Sequence, residues 1–139
     1  IRDSPCWNPV LFKTQSGKLL LFYKVGPSPS KWWGVIRESK DNGESWSDPR
    51  KMGTNKKVGH LLGPVKNKPI QLQNGTIYCP SSSEHDGWRV HFETSTATVK
   101  PGMSLAQFIV VRSSHPFSPV SLVIKMAGFR SYAGANNPK

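Results

Sequence analysis

Short apolar runs separated by polar and turn-forming residues recur along the first fifty positions, a pattern typical of β-strands. Residues 8–14 and 19–24 are two such runs. Gln-Ser-Gly-Lys at positions 15–18 separates them, and its glycine suits a tight turn, so the sequence predicts a β-hairpin. A third strand is expected at residues 32–38, after a segment rich in Pro and Ser, and a short fourth strand around Trp46. Four antiparallel strands in chain order are typical of one blade of a β-propeller.

The same order of elements restarts later in the chain. Residues 68–72 resemble the start of the first unit, Asn74-Gly75 supplies the turn, and residues 76–79 form the returning strand. Asn-Gly between two strand-like runs is a strong hairpin signal. Residues 88–93 then take the place of residues 32–37, at an offset of 56 positions. Because self-similarity at such a period is typical of repeat folds, we predict two successive four-stranded units.

The most specific window of the chain is residues 39–46, which reads Ser-Lys-Asp-Asn-Gly-Glu-Ser-Trp. Gly43 can adopt the positive φ of a tight turn, and Asp41 can accept hydrogen bonds from N–H groups of the same turn. Trp46 offers a large apolar face to a neighbouring sheet. A chance match in an ordinary hairpin is the alternative, and a calcium loop is disfavoured because no carboxylate follows at the required spacing. In the second unit only Ser95 matches the pattern.

Charge is distributed unevenly along the 139 residues. The formal net charge is +11, and all 8 acidic residues lie at or before Glu93. Globular surfaces normally mix both signs. The absence of acids and the loss of the second motif together favour an irregular tail at residues 97–139, of divergent or aberrant sequence such as a frameshift or a wrongly assigned exon. The alternative is a degenerate further blade with strands at residues 108–111 and 120–124.

Several classes of function are disfavoured. Cys6 and Cys79 lack the spacing of zinc ligands, so we expect neither a metal site nor a cofactor, while a disulfide between them stays open. No apolar stretch approaches the roughly 20 residues of a membrane span. The basic charge would suit nucleic acid, but the aromatic residues have strand spacing and no known motif occurs, so no nucleic-acid partner is expected. Because the chain starts at Ile1, we interpret it as a fragment, and its localisation, including secretion, stays open.

Five segments of the chain resemble the sialidase-like β-propellers with bacterial-neuraminidase repeats, in particular their plant and microbial branch. The segments are residues 6–10, 20–24, 39–46, 63–69 and 88–93. In this family the window at residues 39–46 is an Asp-box. The resemblance implies an all-β fold, an incomplete six-bladed propeller of about two four-stranded blades within residues 6–96. Blade one would span about 7–52 and blade two about 63–96, followed by the tail at 97–139.

The resemblance also predicts where a site would lie. The family keeps its Asp-box remote from the substrate, which implies structural roles for Ser39, Asp41, Gly43 and Trp46. In a four-stranded meander the opposite face holds the loop between the second and third strands and the entry to the first. Residues there suit a sugar, since cations pair with carboxylates, an amide binds hydroxyls, a tryptophan stacks on a ring and carboxyls act as acid or base. The candidates for substrate binding are Asn8, Trp32, Lys66, Asn67, Lys68 and Arg89, and those for catalysis are Glu84 and Asp86.

Two departures separate the chain from a true sialidase. The family's arginine before an Ile-Pro-like dipeptide has no match, because Trp7-Asn8-Pro9 and Asn67-Lys68-Pro69 stand where Arg-Ile-Pro would. A lysine does not replace a bidentate arginine fork. The tyrosine nucleophile and its glutamate partner are not found in this chain. We therefore expect a glycoside-hydrolase-related propeller fragment that is inactive alone. The alternative is a propeller module that binds carbohydrate, in particular anionic glycans, without turnover.

Overall fold

Two antiparallel β-sheets of four strands each form the framework of the protein. The computed structural model describes residues 3–56, 58–84, 89–95 and 108–111. The first sheet contains β1 (Cys6–Lys13), β2 (Leu19–Val25), β3 (Trp33–Ser39) and β4 (Arg50–Lys51), in that order across the sheet. Each strand pairs with the next one in the chain, so the sheet is a simple meander. A one-turn 3-10 helix, Pro29–Lys31, connects β2 to β3.

The second sheet repeats this arrangement. Along the chain, a two-stranded ribbon of β5 (Thr54–Asn55) and β6 (Gly59–His60) lies between the first sheet and the second. The second sheet follows with β7 (Ile70–Gln71), β8 (Ile77–Ser83), β9 (Arg89–Ser95) and β10 (Phe108–Val111), again a meander. The prediction of an all-β fold of antiparallel four-stranded units is confirmed, and it is consistent with a β-propeller fragment.

The outer strand of the first sheet lies further along the chain than the sequence predicts. It is Arg50–Lys51, paired with the middle of β3, and not a strand around Trp46. Pro49 precedes β4 and has no backbone N–H to give to the ladder. Ser47 and Glu38 do not form a regular ladder pair. The Ser47 N–H donates to the Glu38 carbonyl at 2.8 Å, and the Ser47 hydroxyl accepts the Glu38 N–H at 3.0 Å. The Asp-box loop therefore stays close to β3 without forming a strand.

The outer strand of the second sheet comes from the segment that the sequence assigns to the tail. β10 pairs with β9, and Phe108 faces Ser95 across the ladder. A strand at this position belongs to the alternative interpretation of the sequence, a degenerate further blade, but here it completes the second sheet. Residues 96–107 and 112–139, including the expected strand at 120–124, lie outside the described residues. The division of the chain at residue 96 stays a prediction.

An apolar core connects the two sheets. Leu20 and Phe22 on β2 are fully buried, and they belong to the same cluster as Ile77 and Cys79 on β8. The members of each pair are two positions apart, so they lie on one face of their strand. Full burial of a large apolar side chain stabilises the fold by about 1.5–3 kcal/mol. The shared cluster therefore holds one sheet against the other.

The linker of residues 61–65 passes very close to β3. The Gly34 N–H donates to the Leu61 carbonyl at 2.9 Å, and the Gly34 carbonyl accepts the Met52 N–H at 3.0 Å. A Cβ atom on Gly34 would lie 2.4 Å from the Leu61 oxygen. Such a contact is sterically forbidden, so glycine is needed where the linker crosses the strand.

Substitution of this glycine tests the crossing. Gly34→Ala should lower the free energy of unfolding by about 2–4 kcal/mol, because it overpacks the crossing and breaks a backbone hydrogen bond. The matched control is Gly17→Ala, where nothing lies within 4 Å of the added Cβ and φ is 86°. That change should cost only the roughly 1 kcal/mol of a left-handed alanine. Equal losses in urea unfolding would show that the crossing is not tight.

Candidate functional site

The Asp-box turn at the end of β3 is closed by hydrogen bonds of its own. Asn42 and Gly43 have φ values of 57° and 98°. The Glu44 N–H donates to the Asp41 carbonyl at 3.4 Å. Two central residues with positive φ form the I′ turn that suits the twist of a hairpin. The indole N–H of Trp46 donates to the Gly43 carbonyl at 3.1 Å, so Trp46 folds back onto the turn.

The Asp41 carboxylate is the main acceptor of this turn. Its Oδ1 accepts the Ser39 hydroxyl at 2.7 Å and the Ser45 N–H at 2.9 Å, and its Oδ2 accepts the Ser45 hydroxyl. Ser39 Oγ in turn accepts the Gly43 N–H at 2.8 Å. The hydrogen bonds from Ser45 and then Ser39 lower the pKa of Asp41 to about 2. These contacts support the structural role of Ser39, Asp41, Gly43 and Trp46, which stays a prediction.

The lowered pKa gives a test of that role. A carboxyl group whose pKa falls on folding stabilises the protein above its unfolded pKa of about 3.9. The contribution disappears as the pH falls through about 2. Asp41→Ala should therefore lower the melting temperature at neutral pH, and the difference from the parent should shrink toward pH 2.

The matched control for this experiment is Asp48→Ala, a change of another exposed aspartate a few residues away. It should leave the melting temperature nearly unchanged. Equal melting temperatures of the Asp41→Ala variant and the parent at neutral pH, measured by circular dichroism, would rule out the structural role.

The opposite end of the first sheet borders an open cleft with a volume of about 440 Å³, a size typical of small-molecule sites. β3 starts at the cleft with Trp33 and ends at the Asp-box with Ser39. At about 3.3 Å per residue these ends lie roughly 20 Å apart. One wall is the connection from β2 to β3, which is the 3-10 helix with Trp32 and Trp33. The other lining residues are Thr54, Val58, Gly59 and His60 of the ribbon region, with Leu62, Ser83 and Glu84.

Tryptophan side chains dominate this region. The ring centroids of Trp7 and Trp32 are 5.6 Å apart, with 31° between the ring planes. Lys51 Nζ lies 4.6 Å from the centroid of the Trp33 ring, a cation–π contact. The indole N–H groups of Trp32 and Trp33 and the Ser83 hydroxyl are buried and have no hydrogen-bond partner among the described residues. Each unsatisfied buried donor of this kind costs the fold about 1–3 kcal/mol.

Two of the predicted site residues meet in the cleft. Trp32 lines one wall, and the exposed Glu84, which directly follows β8, lines another. Arg89 is the first residue of β9, and its backbone pairs with Ser83. Asp86 lies outside the described residues. The sequence therefore identifies one aromatic residue and one carboxylate of the cleft.

The other predicted site residues are not among those that line the cleft. Asn8 lies in a β-bulge of β1, with φ of 45°. Lys66, Asn67 and Lys68 are exposed in the loop before β7. Lys66 has φ of 66°, and the Asn67 N–H donates to the Val65 carbonyl at 2.9 Å, so this loop contains a tight three-residue turn. The roles predicted from the sequence, in substrate binding and in catalysis, stay predictions for all of the candidate residues.

A buried cluster that sequence reasoning missed joins the linker to both sheets. Glu93 on β9 is fully buried, and its carboxylate accepts the Leu62 N–H at 2.9 Å and the Gly63 N–H at 2.7 Å. Lys24 on β2 is also fully buried and donates from Nζ to the Pro64 carbonyl. We name these two side chains, with the three linker residues that they bind, the linker clasp.

Further contacts complete the clasp. The Ser81 hydroxyl donates to a Glu93 carboxylate oxygen at 3.0 Å, and His91 Nε2 lies 3.1 Å from the same oxygen. Burial lowers the pKa of Lys24 to about 8, although the attraction of Glu93 acts in the opposite direction. Leu62, which the clasp holds, also lines the cleft. The clasp therefore positions part of the cleft wall.

One sequence signal could have identified the clasp. Lys24 follows Leu20 and Phe22 at every second position of a strand, so it shares their buried face. A charged residue at a position of core parity needs a buried partner. The sequence does not show which acid or carbonyl would supply that partner.

The lowered pKa of Lys24 predicts a pH dependence of stability. Folding lowers this pKa from 10.5 to about 8, so the unfolded chain binds more protons between these values and stability rises with pH. One pKa unit corresponds to about 1.4 kcal/mol. Relative to the Lys24→Met variant, the parent should gain about 3 kcal/mol of unfolding free energy between pH 8 and 10.5.

A second buried group, the Cys79 thiol, also makes stability depend on pH. Burial raises the pKa of the Cys79 thiol well above its ordinary value, with Glu93 acting in the same direction. Because Lys24 also acts on the pKa of this thiol, parent and variant are both compared in a Cys79→Ala background, which removes the contribution of the thiol. If the unfolding free energies of parent and variant, measured in urea, change with pH in parallel, folding does not lower the pKa of Lys24.

The two cysteines are not joined. Cys6 is exposed, Cys79 is fully buried, and both are free thiols. The disulfide that the sequence leaves open is therefore absent from the structure.

The described residues also bear on two other classes of site. None of their helices is both long and apolar enough to cross a membrane. Their His, Cys, Asp and Glu side chains form no group of three or more that could hold a metal ion.

Comparison with protein families gives one match. Residues 2–125 match the model of the BNR repeat-like domain. This match covers most of the 139 residues, and the repeat is of the type found in sialidase-like propellers. No curated protein matches the chain.

Proposed function

Because this chain belongs to the BNR repeat-like domain family, we propose that it is part of a sialidase-like, glycoside-hydrolase-related propeller whose cleft binds carbohydrate. We propose further that the chain has no hydrolase activity by itself. The observation that carries the proposal is the tryptophan-lined cleft of about 440 Å³ at the end of the sheets remote from the Asp-box.

The lining of the cleft supports a sugar ligand. The half-buried Trp32 and Trp33 offer aromatic surface, and apolar sugar ring faces pack against such surfaces. Glu84 supplies an exposed carboxylate that can accept hydrogen bonds from sugar hydroxyls.

The absence of turnover by this chain rests on its side chains. A sialidase needs arginine forks for the substrate carboxylate, and this chain has Trp7-Asn8-Pro9 and Asn67-Lys68-Pro69 where Arg-Ile-Pro would stand. A lysine binds a carboxylate as a point charge and not as a planar fork. Glu84 would therefore act without the partners that a sialidase uses.

Binding of anionic glycans without turnover is the second candidate. Lys31 lines the cleft, and Lys51 lies over the Trp33 ring. A cationic rim of this kind favours ligands that carry carboxylate or sulfate groups. Lys66 and Lys68 in the loop before β7 would add to this attraction.

A fluorogenic sialoside assay on the purified 139-residue protein tests the lack of turnover. We expect no hydrolysis above background. Turnover that co-purifies with the protein and disappears in the Glu84→Gln or Asp86→Asn variant would overturn the proposal. Isothermal titration with sialyllactose and with neutral lactose, on the parent and on Trp32→Ala, tests binding separately.

A further inference from the structure

The turn between β7 and β8 contains a sequon for N-linked glycosylation. Asn74-Gly75-Thr76 fits the pattern Asn-x-Ser/Thr, in which the middle residue is not proline. No other asparagine of the 139 residues has a serine or threonine two positions further along the chain. A short triplet also occurs by chance, so the conformation and exposure of its asparagine decide whether a glycan fits there.

Hydrogen bonds close this turn. The Leu72 N–H donates to the Thr76 carbonyl at 2.9 Å, and the Gly75 N–H donates to the Leu72 carbonyl at 2.9 Å. Gly75 has φ of 88°, in the left-handed region that glycine adopts without strain. Gln71 Nε2 donates to the Gly75 carbonyl at 3.1 Å. The turn therefore holds Asn74 at a defined position.

The side chain of Asn74 is exposed and presents its nitrogen away from the turn. Its Oδ1 accepts the Thr76 N–H at 3.0 Å, which makes an Asx turn. Because the carboxamide is planar and its oxygen faces Thr76, Nδ2 points away from that backbone. Nδ2 has no hydrogen-bond partner in the part of the chain that the structure describes. Attachment of a sugar to this atom therefore breaks no hydrogen bond there.

The sequon lies at the end of the second sheet that is remote from the cleft. β8 starts with Ile77, directly after the sequon, and ends with Ser83, which lines the cleft. At about 3.3 Å per residue the ends of this strand lie roughly 20 Å apart. A bulky, hydrophilic glycan on Asn74 would therefore leave the cleft open.

We propose that Asn74 is an acceptor site for N-linked glycosylation. The donor is an oligosaccharide joined through a diphosphate to a polyprenol lipid. Asn74 Nδ2 attacks the anomeric carbon, so the Nδ2–C1 bond forms and the bond from C1 to the diphosphate oxygen breaks. The lipid diphosphate leaves with the electron pair, and Nδ2 loses one proton. Thr76 supplies the hydroxyl that the third position of a sequon requires.

This modification is independent of ligand binding in the cleft. Transfer from the lipid-linked donor takes place in the secretory pathway, so the proposal implies that the chain enters that pathway. It also assigns a role to a turn that the proposed function does not use.

Translation of the 139-residue chain in the presence of endoplasmic-reticulum microsomes tests the proposal. The chain is preceded by a cleavable secretion leader and by one reference Asn-Ser-Thr sequon. Glycans are counted from the gel mobility before and after digestion with peptide N-glycosidase. The parent should gain two glycans, and Asn74→Gln should gain only the reference glycan. Digestion converts a glycan-bearing asparagine to aspartate, so peptide mass spectrometry should find aspartate at position 74 of the parent.

Two substitutions of Thr76 separate the hydroxyl from the shape of the side chain. Thr76→Val keeps the branched shape without the hydroxyl and should lose the second glycan, whereas Thr76→Ser keeps the hydroxyl and should retain it. The matched control is Asn42→Gln. Asn42-Gly43 is also an Asn-Gly turn with positive φ, but Glu44 follows it in place of a hydroxyl residue. This control should keep both glycans.

The reference sequon reports that the chain has entered the microsomes. Parent chains that carry the reference glycan alone would overturn the proposal, and so would a second glycan that persists in Asn74→Gln or in Thr76→Val. Loss of the second glycan in Asn42→Gln would contradict the assignment to Asn74. None of these outcomes affects the proposed function, because the assay involves no ligand of the cleft.

Discussion

The carboxylate of Glu93 accepts two N–H groups of a buried linker that forms no β-strand of its own. Leu61, Leu62 and Gly63 are all buried, yet they belong to no β-ladder. Buried N–H groups need acceptors, and here one carboxylate accepts two of them in succession. Lys24 serves the linker carbonyl at Pro64 from the facing sheet. Two buried charges would normally destabilise a fold, but hydrogen bonds from the linker, Ser81 and His91 compensate Glu93.

The position of this linker decides how the two sheets fit together. Gly63 has φ of 67°, and a Cβ there would lie 2.9 Å from the Phe22 ring. The Leu61 carbonyl accepts the Gly34 N–H of β3 at 2.9 Å. The linker thus contacts the first sheet through two glycines and the second through a carboxylate. The same segment carries Leu62 into the cleft, so the core and the candidate site share one support.

The two ends of the first sheet follow different physical rules. At the Asp-box end, Ser39, Asp41 and Gly43 satisfy one another within five residues of chain, so the turn depends little on its surroundings. At the cleft end, Trp7, Trp32 and Glu84 come from distant parts of the chain. A composite end of this kind can vary in sequence and ligand while the local turn keeps the sheet in register.

Sequence by itself determined the all-β class, the hairpins, the repeat of the unit and the turn at residues 39–46. These features depend on short strand-like runs and on turn residues a few positions apart, which a linear pattern contains. It also indicated Trp32 and Glu84, since meander topology alone places their loops at one end.

Tertiary structure decided the rest. Lys24 reaches a carbonyl 40 residues away, and Glu93 binds an amide 31 residues away. It also placed the outer strand of the first sheet at Arg50–Lys51 and paired Phe108–Val111 with the second sheet. Such pairings depend on which surfaces meet in space, and no local pattern of residues specifies them.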